Sequence, residues 1–455
     1  MAAEQPTAVA PLSPVDSPGL RRRLPAGLLD SAASSLATFT VSLVAVHYLQ
    51  AATLGAYSVA FSAFLLATSV PASFVIVPAE ALAIGLVEGR TRLGLLHYTL
   101  PRGIVIALPA SALAALATIA VPTGARGVTR WGLAAGLVAL ATVSPLQDHV
   151  RRLLHASGRS STAAVVSLTQ LGVVAAGIGV AAAVDLLRQP WAPFAILAVA
   201  NVVSSAVGLA RERAWRVPGL PLPGTTLGMV AHRGSWLLAT QLIGFGAGFA
   251  MVVLIAAASG SGAVGYAEAA RTLCQPPTVV IVGILAVLSP EIQSAVRRRD
   301  PARVRRLLAA FFLISTAVAL VWGLLAIPRW SISPLGLLFP RAYAVNGLLI
   351  LTLVGQTITY SIAVFGSVFL AVDRTRPIAT SEAVTTSAAM LTVVVLRNEG
   401  AIALGWTAMA DVLGLGIYLV RVERLLRGLH RPPWSPPPCP LRPGCTAKVC
   451  VECEP

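Results

Sequence analysis

Glu268 and Arg271 stand three residues apart within a long apolar stretch of the chain. On a helix, this spacing places both side chains on one face and within reach of each other. The planar fork of an arginine donates two hydrogen bonds to a phosphate, so Arg271 could bind an anionic substrate while Glu268 restrains it. The alternative is an internal ion pair that only lowers the cost of placing two charges in hydrocarbon.

Other carboxylates also interrupt apolar stretches. Glu382 and Asp411 are isolated, and either could couple transport to H⁺ or Na⁺, because an unpaired buried carboxylate binds a cation readily. The alternative for both is a hydrogen bond to a nearby hydroxyl, such as that of Thr385. Asp30 and Glu80 lie closer to the ends of their stretches, where we expect interfacial solvation, although Asp30 could border the mouth of a cavity and contact the substrate.

Motifs for enzyme chemistry are missing from the sequence. It contains no nucleophile elbow, glycine-rich phosphate loop, paired catalytic carboxylates or ATPase signature. The histidines have no ligand spacing. The terminal Cys450 and Cys453 could help hold Zn²⁺, but the other cysteines of the tail are irregularly spaced. We therefore predict a protein that is not an enzyme and has neither a cofactor nor a metal site.

The elements that carry these residues are predicted from composition. Of 455 residues, 56% are hydrophobic and only 11% are charged, against about 25% charged in a typical soluble domain. The charges cluster between apolar stretches that reach the roughly 17–25 residues of a membrane-spanning helix. The sequence thus predicts an all-α, polytopic integral membrane protein with about 12 transmembrane helices, near residues 28–49, 56–86, 103–121, 131–147, 162–184, 191–209, 235–258, 262–288, 307–327, 342–369, 378–396 and 401–420.

The distribution of basic residues predicts orientation. Alternate connections and the two tails hold 27 basic residues, whereas the opposite connections hold six. The excess of Arg and Lys on cytoplasmic loops places both termini in the cytoplasm, as in a multi-pass protein of the inner (cytoplasmic) membrane. The net charge of +16 then reflects topology. No basic run is interleaved with stacking aromatic residues, so we expect no nucleic-acid partner.

The two halves of the chain resemble each other. Residues 70–78 and 275–283 match at four of nine positions, and both segments lie in the second span of their half. The segments 156–159 and 371–374 both follow a fourth span, and the two offsets are 205 and 215 residues. Six spans per half preserve direction, which predicts two parallel six-helix bundles. The expected divisions are a cytoplasmic N-terminal tail 1–26, bundles 27–210 and 235–420, a cytoplasmic linker 211–234, and a Pro/Cys-rich cytoplasmic tail 421–455.

Three motifs carry a resemblance to a known family. They are Leu54-Gly-Ala-Tyr57, the stretch 147–159 that reads Gln-Asp-His-Val-Arg-Arg-Leu-Leu-His-Ala-Ser-Gly-Arg, and the stretch from Pro276-Pro277 to Pro290-Glu291. With these motifs the chain resembles the polysaccharide-transporter branch, which includes O-antigen flippases, of the multidrug/oligosaccharidyl-lipid/polysaccharide (MOP) exporter superfamily. The resemblance implies two six-helix bundles that form a V around a central cavity and give alternating access to the two membrane faces.

The resemblance also implies a function. Its flippase branch moves undecaprenyl-linked glycans outward, so the expected activity is flipping of a lipid-linked oligosaccharide or polysaccharide precursor, with membrane lipids and membrane proteins of glycan biosynthesis as partners. An H⁺- or Na⁺-coupled multidrug or metabolite exporter of the same fold is the alternative. A membrane glycan polymerase or ligase is disfavoured, because such enzymes need a large hydrophilic outer loop and the longest here has about 14 residues.

Overall fold

The structure is a computed structural model that describes residues 20–80, 89–124, 127–219, 227–326, 339–343, 345, 347–372 and 376–429. In these ranges the backbone is helical and contains no strand. Most of the two predicted tails, residues 1–19 and 430–455, and with them the cysteines at the C-terminal end, lie outside the described residues.

The first six spans are six helices. They are α1 (Leu20–Tyr48), α2 (Ala51–Pro71), α3 (Leu96–Ala120), α4 (Gly127–Ala156), α5 (Ser160–Ala183) and α6 (Ala192–Arg211). A π-helical turn, Ala72–Ile76, follows Pro71 and extends α2 toward Glu80. The proline cannot donate a backbone hydrogen bond, and a π-turn is one way in which a long helix accommodates that loss.

The last six spans contain eight helices. They are α7 (Leu227–Ser259), α8 (Ser261–Leu273), α9 (Gln275–Arg297), α10 (Pro301–Ala326), α11 (Leu348–Leu370), α12 (Arg376–Leu396), the short α13 (Ala401–Gly405) and α14 (Ala408–Leu429). The predicted span 262–288 is broken at Cys274, because the two prolines that follow begin a new helix at its first turn.

The helices confirm a multi-pass membrane protein. Eleven helical stretches of the described residues are long and apolar enough to cross a membrane, and the broken stretch α8–α9 contains a shorter apolar helix, Gln275–Leu285. Separate hydrophobic clusters fill the two halves, one around Tyr57 and Phe194 and the other around Phe311 and Phe365. The predicted all-α architecture, with about 12 spans in two parallel six-helix bundles, is confirmed.

The two halves meet where α2 lies against α8. A Cβ atom on Gly55 would lie 1.7 Å from the carbonyl oxygen of Ser261, and one on Gly265 would lie 2.0 Å from that of Ala51. A shift of 210 residues converts Ala51 into Ser261 and Gly55 into Gly265, so it exchanges these two contacts. Such an exchange is the signature of a pseudo-twofold axis along the membrane normal. We call this glycine-lined contact the seam.

The side chains beyond the seam follow the same relation. The Ser58 hydroxyl donates to a Glu268 oxygen at 3.0 Å, across a separation of 210 residues. Phe61 lies under the guanidinium of Arg271, 4.8 Å from carbon Cζ to ring centroid, across the same separation. Residues near the axis therefore face their own equivalents in the other half. From one such pair to the next, the residue numbers increase in the same direction along both helices, so α2 and α8 are parallel.

The seam is covered at one end by the turn Arg341–Tyr343. The Tyr343 hydroxyl donates to the backbone carbonyl of Leu49 at 2.6 Å, and its ring packs edge-on against Tyr266. Burial, followed by the nearby Tyr266, raises the pKa of Tyr343 to about 12. This hydroxyl therefore stays protonated at neutral pH, and the contact that joins the two halves at this end does not depend on physiological changes of pH.

The seam generates the first prediction. Gly55→Val and Gly265→Val should each lower the thermal unfolding temperature of the purified protein, because each places a side chain against a backbone carbonyl that cannot turn aside. Overpacking typically costs about 1–3 kcal/mol, and occasionally more. Gly262→Val on the same helix is the matched control, since a Cβ there meets no atom within 4 Å. Equal stability of all three variants would contradict the close approach.

Candidate functional site

The first candidate site is a cavity of about 310 Å³ beside the seam. Five elements form its wall, namely α2, α7, α8, α11 and the α13–α14 region. Its polar lining comes from Ser58, Ser62, Glu268, Arg271, Thr352, Gln356, Thr359, Thr407 and Asp411. Its apolar lining includes Phe61, Leu65, Phe245, Phe249, Met251, Val252, Leu351 and Leu404. Three of the five ionisable residues predicted to act in transport, Glu268, Arg271 and Asp411, therefore line one cavity.

Arg271 is held by its own helix. Its Nε donates to Glu268 Oε2 at 2.9 Å, and its Nη2 donates to Glu268 Oε1 at 2.5 Å. Ser58 adds a third hydrogen bond to this carboxylate, while Phe61 covers the guanidinium. The Glu268 side chain is buried, whereas 31% of the Arg271 side chain remains accessible. The pair is thus a bidentate ion pair whose positive member reaches the cavity.

Asp411 has a different environment. Its Oδ2 lies 3.3 Å from the position that a Cβ on Gly355 would occupy, so the carboxylate packs against a glycine of α11. Thr359 lines the same cavity, and Glu382 is close enough to interact with Asp411 electrostatically. No ion pair neutralises Asp411 or Glu382 within the part of the chain that the structure describes. Asp411 therefore presents to the cavity a carboxyl group without a cationic partner.

Glu382 lies behind this wall. Its Oε1 is 3.2 Å from the position of a Cβ on Gly244 of α7, but the residue does not line the cavity itself. The hydroxyl of Thr385, one turn along α12, donates to the Ser381 carbonyl of its own helix. The structure thus places a second carboxyl group, that of Glu382, next to the cavity.

A second cavity, of about 510 Å³, lies between the helices of the first half and α7. Phe61, Leu65 and Phe245 line both cavities, so these three side chains form the partition between them. Asp148 and Arg152 contribute the charges of the second cavity, and the rest of its polar lining is uncharged. The interior of the protein is therefore divided into two chambers with different chemistry.

A chain of amides runs along the wall of the second cavity. The Gln147 amide donates to Gln170 at 3.4 Å, the Gln170 amide donates to Asn201 at 2.7 Å, and the Asn201 amide donates to the Ser144 hydroxyl at 2.8 Å. These bonds join α4, α5 and α6. Sequence inspection missed this group, because single uncharged polar residues in three separate spans carry no motif.

Asp30 belongs to a buried cluster. It accepts two hydrogen bonds from Arg151, at 3.0 and 2.8 Å, and one from Ser167 at 2.6 Å, and it lies 2.9 Å from the ring Nε2 of His155. Only 3% of Asp30 is exposed, so the expected interfacial solvation is wrong. Asp30 lines neither of the two large cavities. Its four contacts instead join α1, α4 and α5.

Glu80 has a similar environment. One oxygen lies 2.6 Å from Nδ1 of His149 and 3.2 Å from Nε of Arg152, and Glu80 is only 8% exposed. The other ring nitrogen of His149 is hydrogen-bonded to Thr99. The expected solvation of Glu80 is therefore wrong as well. In both cases the error has one cause, which is that α4 continues to Ala156 rather than ending near residue 147.

The chain resembles known proteins in its fold and not in its sequence. No protein-family model matches the chain, and no curated protein matches its sequence. The solved structure of the MATE multidrug transporter DinF-BH, determined as a complex, is 15% identical, covers 92% of this chain and 98% of its own, and superposes with a TM-score of 0.63.

Two further structures show one MATE family multidrug resistance transporter of the MOP superfamily. Its inward-facing conformation covers 88% of this chain and 99% of its own, and its outward-facing conformation covers 89% and 96%. Both are 15% identical to this chain, with a TM-score of 0.58. The chain has the fold of a MATE transporter.

The MATE fold bears on the sequence predictions. It agrees with the predicted transporter architecture and the predicted superfamily fold. Arg271 and Glu268 remain candidates for substrate binding, and Asp411 remains a candidate for ion coupling. All three line the first cavity. Glu382 lies beside that cavity, and Asp30 is separated from it. No cluster of metal-ligating residues occurs in the described ranges.

The ion pair generates the second prediction. Glu268→Gln should destabilise the protein, because it leaves Arg271 unpaired, and breaking a buried pair costs about 3–5 kcal/mol. Partial exposure of Arg271 places the expected cost at the lower end. Adding Arg271→Met should restore most of the thermal stability, since no unpaired charge remains. A double variant as unstable as Glu268→Gln alone would contradict mutual neutralisation.

Proposed function

We propose that the protein is a cation-coupled exporter of amphipathic organic cations that works by alternating access across the inner membrane, with both termini in the cytoplasm. The observation that carries the proposal is the charge of the first cavity. Arg271 is neutralised by Glu268 within one helical turn, whereas Asp411 lines the same cavity and has no cationic partner among the described residues. The cavity therefore prefers a cation to an anion.

The magnitude of this preference is substantial. Two opposite unit charges 4 Å apart attract by about 4 kcal/mol at an effective dielectric constant of 20. A pyrophosphate in the same cavity would meet an arginine whose charge is already paired with Glu268, and it would lie in the same cavity as the carboxyl group of Asp411. For this reason the geometry favours the exporter alternative over the flippase expected from the sequence resemblance.

The apolar lining indicates the rest of the substrate. Phe245, Phe249, Met251 and Val252 present an apolar wall on α7, in the same cavity as the carboxylate of Asp411. Aromatic faces attract organic cations, and methionine adapts to irregular shapes. One neighbour of the same fold is a multidrug transporter, which supports a small organic substrate here.

Coupling would arise from competition for the same carboxylates. In this proposal H⁺ or Na⁺ entering from outside binds at Asp411, assisted by Glu382, and displaces the organic cation. Because the substrate and the coupling cation compete for one site, the protein holds only one of them at a time. Each change of conformation then moves either the substrate or the cation, and the result is obligatory exchange.

A second candidate function retains the sequence-based expectation. The second cavity is larger and is lined by the amides of Gln147, Gln170 and Asn201, with Arg152 at its edge. Amides and an arginine can bind the hydroxyls and phosphate of a lipid-linked oligosaccharide. Membrane proteins of glycan biosynthesis would then supply the substrate.

The proposal is tested by transport in proteoliposomes. Wild-type protein should move a fluorescent quaternary ammonium compound against its gradient when an opposing pH or Na⁺ gradient is imposed. Asp411→Asn should reduce the initial rate at least about tenfold, corresponding to about 1.4 kcal/mol. Asp185→Asn is the matched control, because that carboxylate is exposed on a loop. Unchanged transport by Asp411→Asn would contradict the exporter. Movement of a lipid-linked glycan but not of the cation would favour the second candidate.

A further inference from the structure

A further pocket lies away from both cavities. It has a volume of about 350 Å³ and is lined by Arg90, Thr91, Arg213, Arg216, Val217 and Pro218. Arg90 stands at the turn Gly89–Leu95 that precedes α3, and Arg213 and Arg216 follow the last residue of α6. The pocket is thus built at the end of a membrane-spanning helix, and we call it the arginine pocket.

Backbone contacts fix the shape of the arginine pocket. The Arg90 guanidinium donates to the carbonyl of Glu212 at 2.6 Å, and the ring Nε2 of His97 is hydrogen-bonded to the carbonyl of Val217 at 3.0 Å. Ala214 and Val217 are buried against the rest of the first half. The segment 212–217 is therefore anchored on both sides of the arginines that it presents.

The backbone of Arg213 is strained. Its φ of 47° lies in the left-handed region, which side chains other than glycine seldom adopt. Such a conformation is unfavourable and persists where the surroundings enforce it, often at functional positions. Here it turns the chain sharply at the end of α6, so that Arg213 and Arg216 line one pocket.

The positive charge of the pocket is not cancelled by its neighbours. The side chain of Glu212 is engaged elsewhere, with Arg159 at 3.6 Å and the Thr162 hydroxyl at 2.5 Å. Arg213 and Arg216 form no ion pair within the described residues. Among the described residues, the lining therefore brings together three guanidinium groups and no carboxylate. Such a set attracts a phosphate, which each planar fork can bind through two hydrogen bonds.

Trp215 indicates where the phosphate comes from. It lies between Arg213 and Arg216 in the sequence, and 61% of it is exposed. Tryptophan is enriched at the level of the lipid headgroups, because its ring is apolar and its N–H is polar. An exposed Trp at the end of a span, next to a pocket of arginines, matches the layout of a lipid: phosphate in the pocket and acyl chains along the helix.

We propose that the arginine pocket binds the phosphate of an anionic membrane lipid. The lipid sits at the ends of α3 and α6 and ties the turn before α3 to the segment after α6. This site is separate from both cavities, so it does not depend on which substrate the protein transports.

The test is lipid binding to the purified, delipidated full-length protein. Native mass spectrometry of titrations with phosphatidylglycerol should show one lipid that binds at least tenfold more tightly than phosphatidylcholine. Arg213→Gln/Arg216→Gln should abolish this preference. Arg303→Gln/Arg305→Gln is the matched control: it also removes two charges, but from exposed ion pairs with Glu291 and Glu423. It should leave the affinity within about twofold.

Further variants separate a lipid from a free anion. Trp215→Ala should weaken phosphatidylglycerol binding without changing the binding of inorganic phosphate. Arg216→Lys, which keeps the charge and loses the fork, should bind phosphatidylglycerol with intermediate affinity and remains informative if the double variant fails to fold. Equal binding of the two lipids, or full affinity in the double variant, would overturn the proposal. Saturable binding of inorganic phosphate that excludes phosphatidylglycerol would overturn the lipid as ligand.

Discussion

Arg271 places a full positive charge inside a membrane-spanning stretch, and hydrocarbon does not accommodate such a charge alone. The structure meets this constraint with Glu268, one turn earlier on the same helix, which accepts two hydrogen bonds from one edge of the guanidinium group. Ser58 stabilises the carboxylate and Phe61 covers the cation. The arrangement converts two costly charges into a pair with little net charge. The electrostatics of the neighbouring cavity then depend on whatever carboxylate is left, which is Asp411.

The position of this pair depends on the seam. Gly55 and Gly265 let the backbones of α2 and α8 approach so closely that no side chain fits between them. Along the pseudo-twofold axis, each residue then faces its equivalent in the other half. The two halves have diverged at these positions, with Ser58 and Phe61 in one and Glu268 and Arg271 in the other. The backbones of the two halves are thus related by symmetry, whereas the charges at these positions are not. This difference makes the two cavities chemically different.

The spans could be predicted from the sequence, because an apolar segment long enough to cross a bilayer must satisfy its backbone hydrogen bonds internally and therefore forms a helix. The parallel repeat was predictable too, since the sequence offsets of 205 and 215 residues bracket the 210 that the seam contacts reveal. The extent of α4 could not be predicted, because the polar residues 148–155 have the composition of a loop. In the structure this segment is helical, and it pairs with Asp30 and Glu80, which lie far away in the sequence. Pairing over such distances leaves no local pattern. The pair of Glu268 and Arg271 is different, because the two residues are three apart on one helix and the sequence already offered an ion pair as one of two alternatives.

Asp411, and not Arg271, sets the charge preference of the first cavity in this proposal. Equilibrium binding of two dyes that share a scaffold, one carrying a quaternary ammonium group and the other a sulfonate, measures that preference without requiring transport. We expect the cation to bind at least about tenfold more tightly, a difference of about 1.4 kcal/mol. This preference should survive in Glu268→Gln/Arg271→Met and disappear in Asp411→Asn. Tighter binding of the sulfonate, lost when Arg271 is replaced, would show instead that the arginine sets the charge preference.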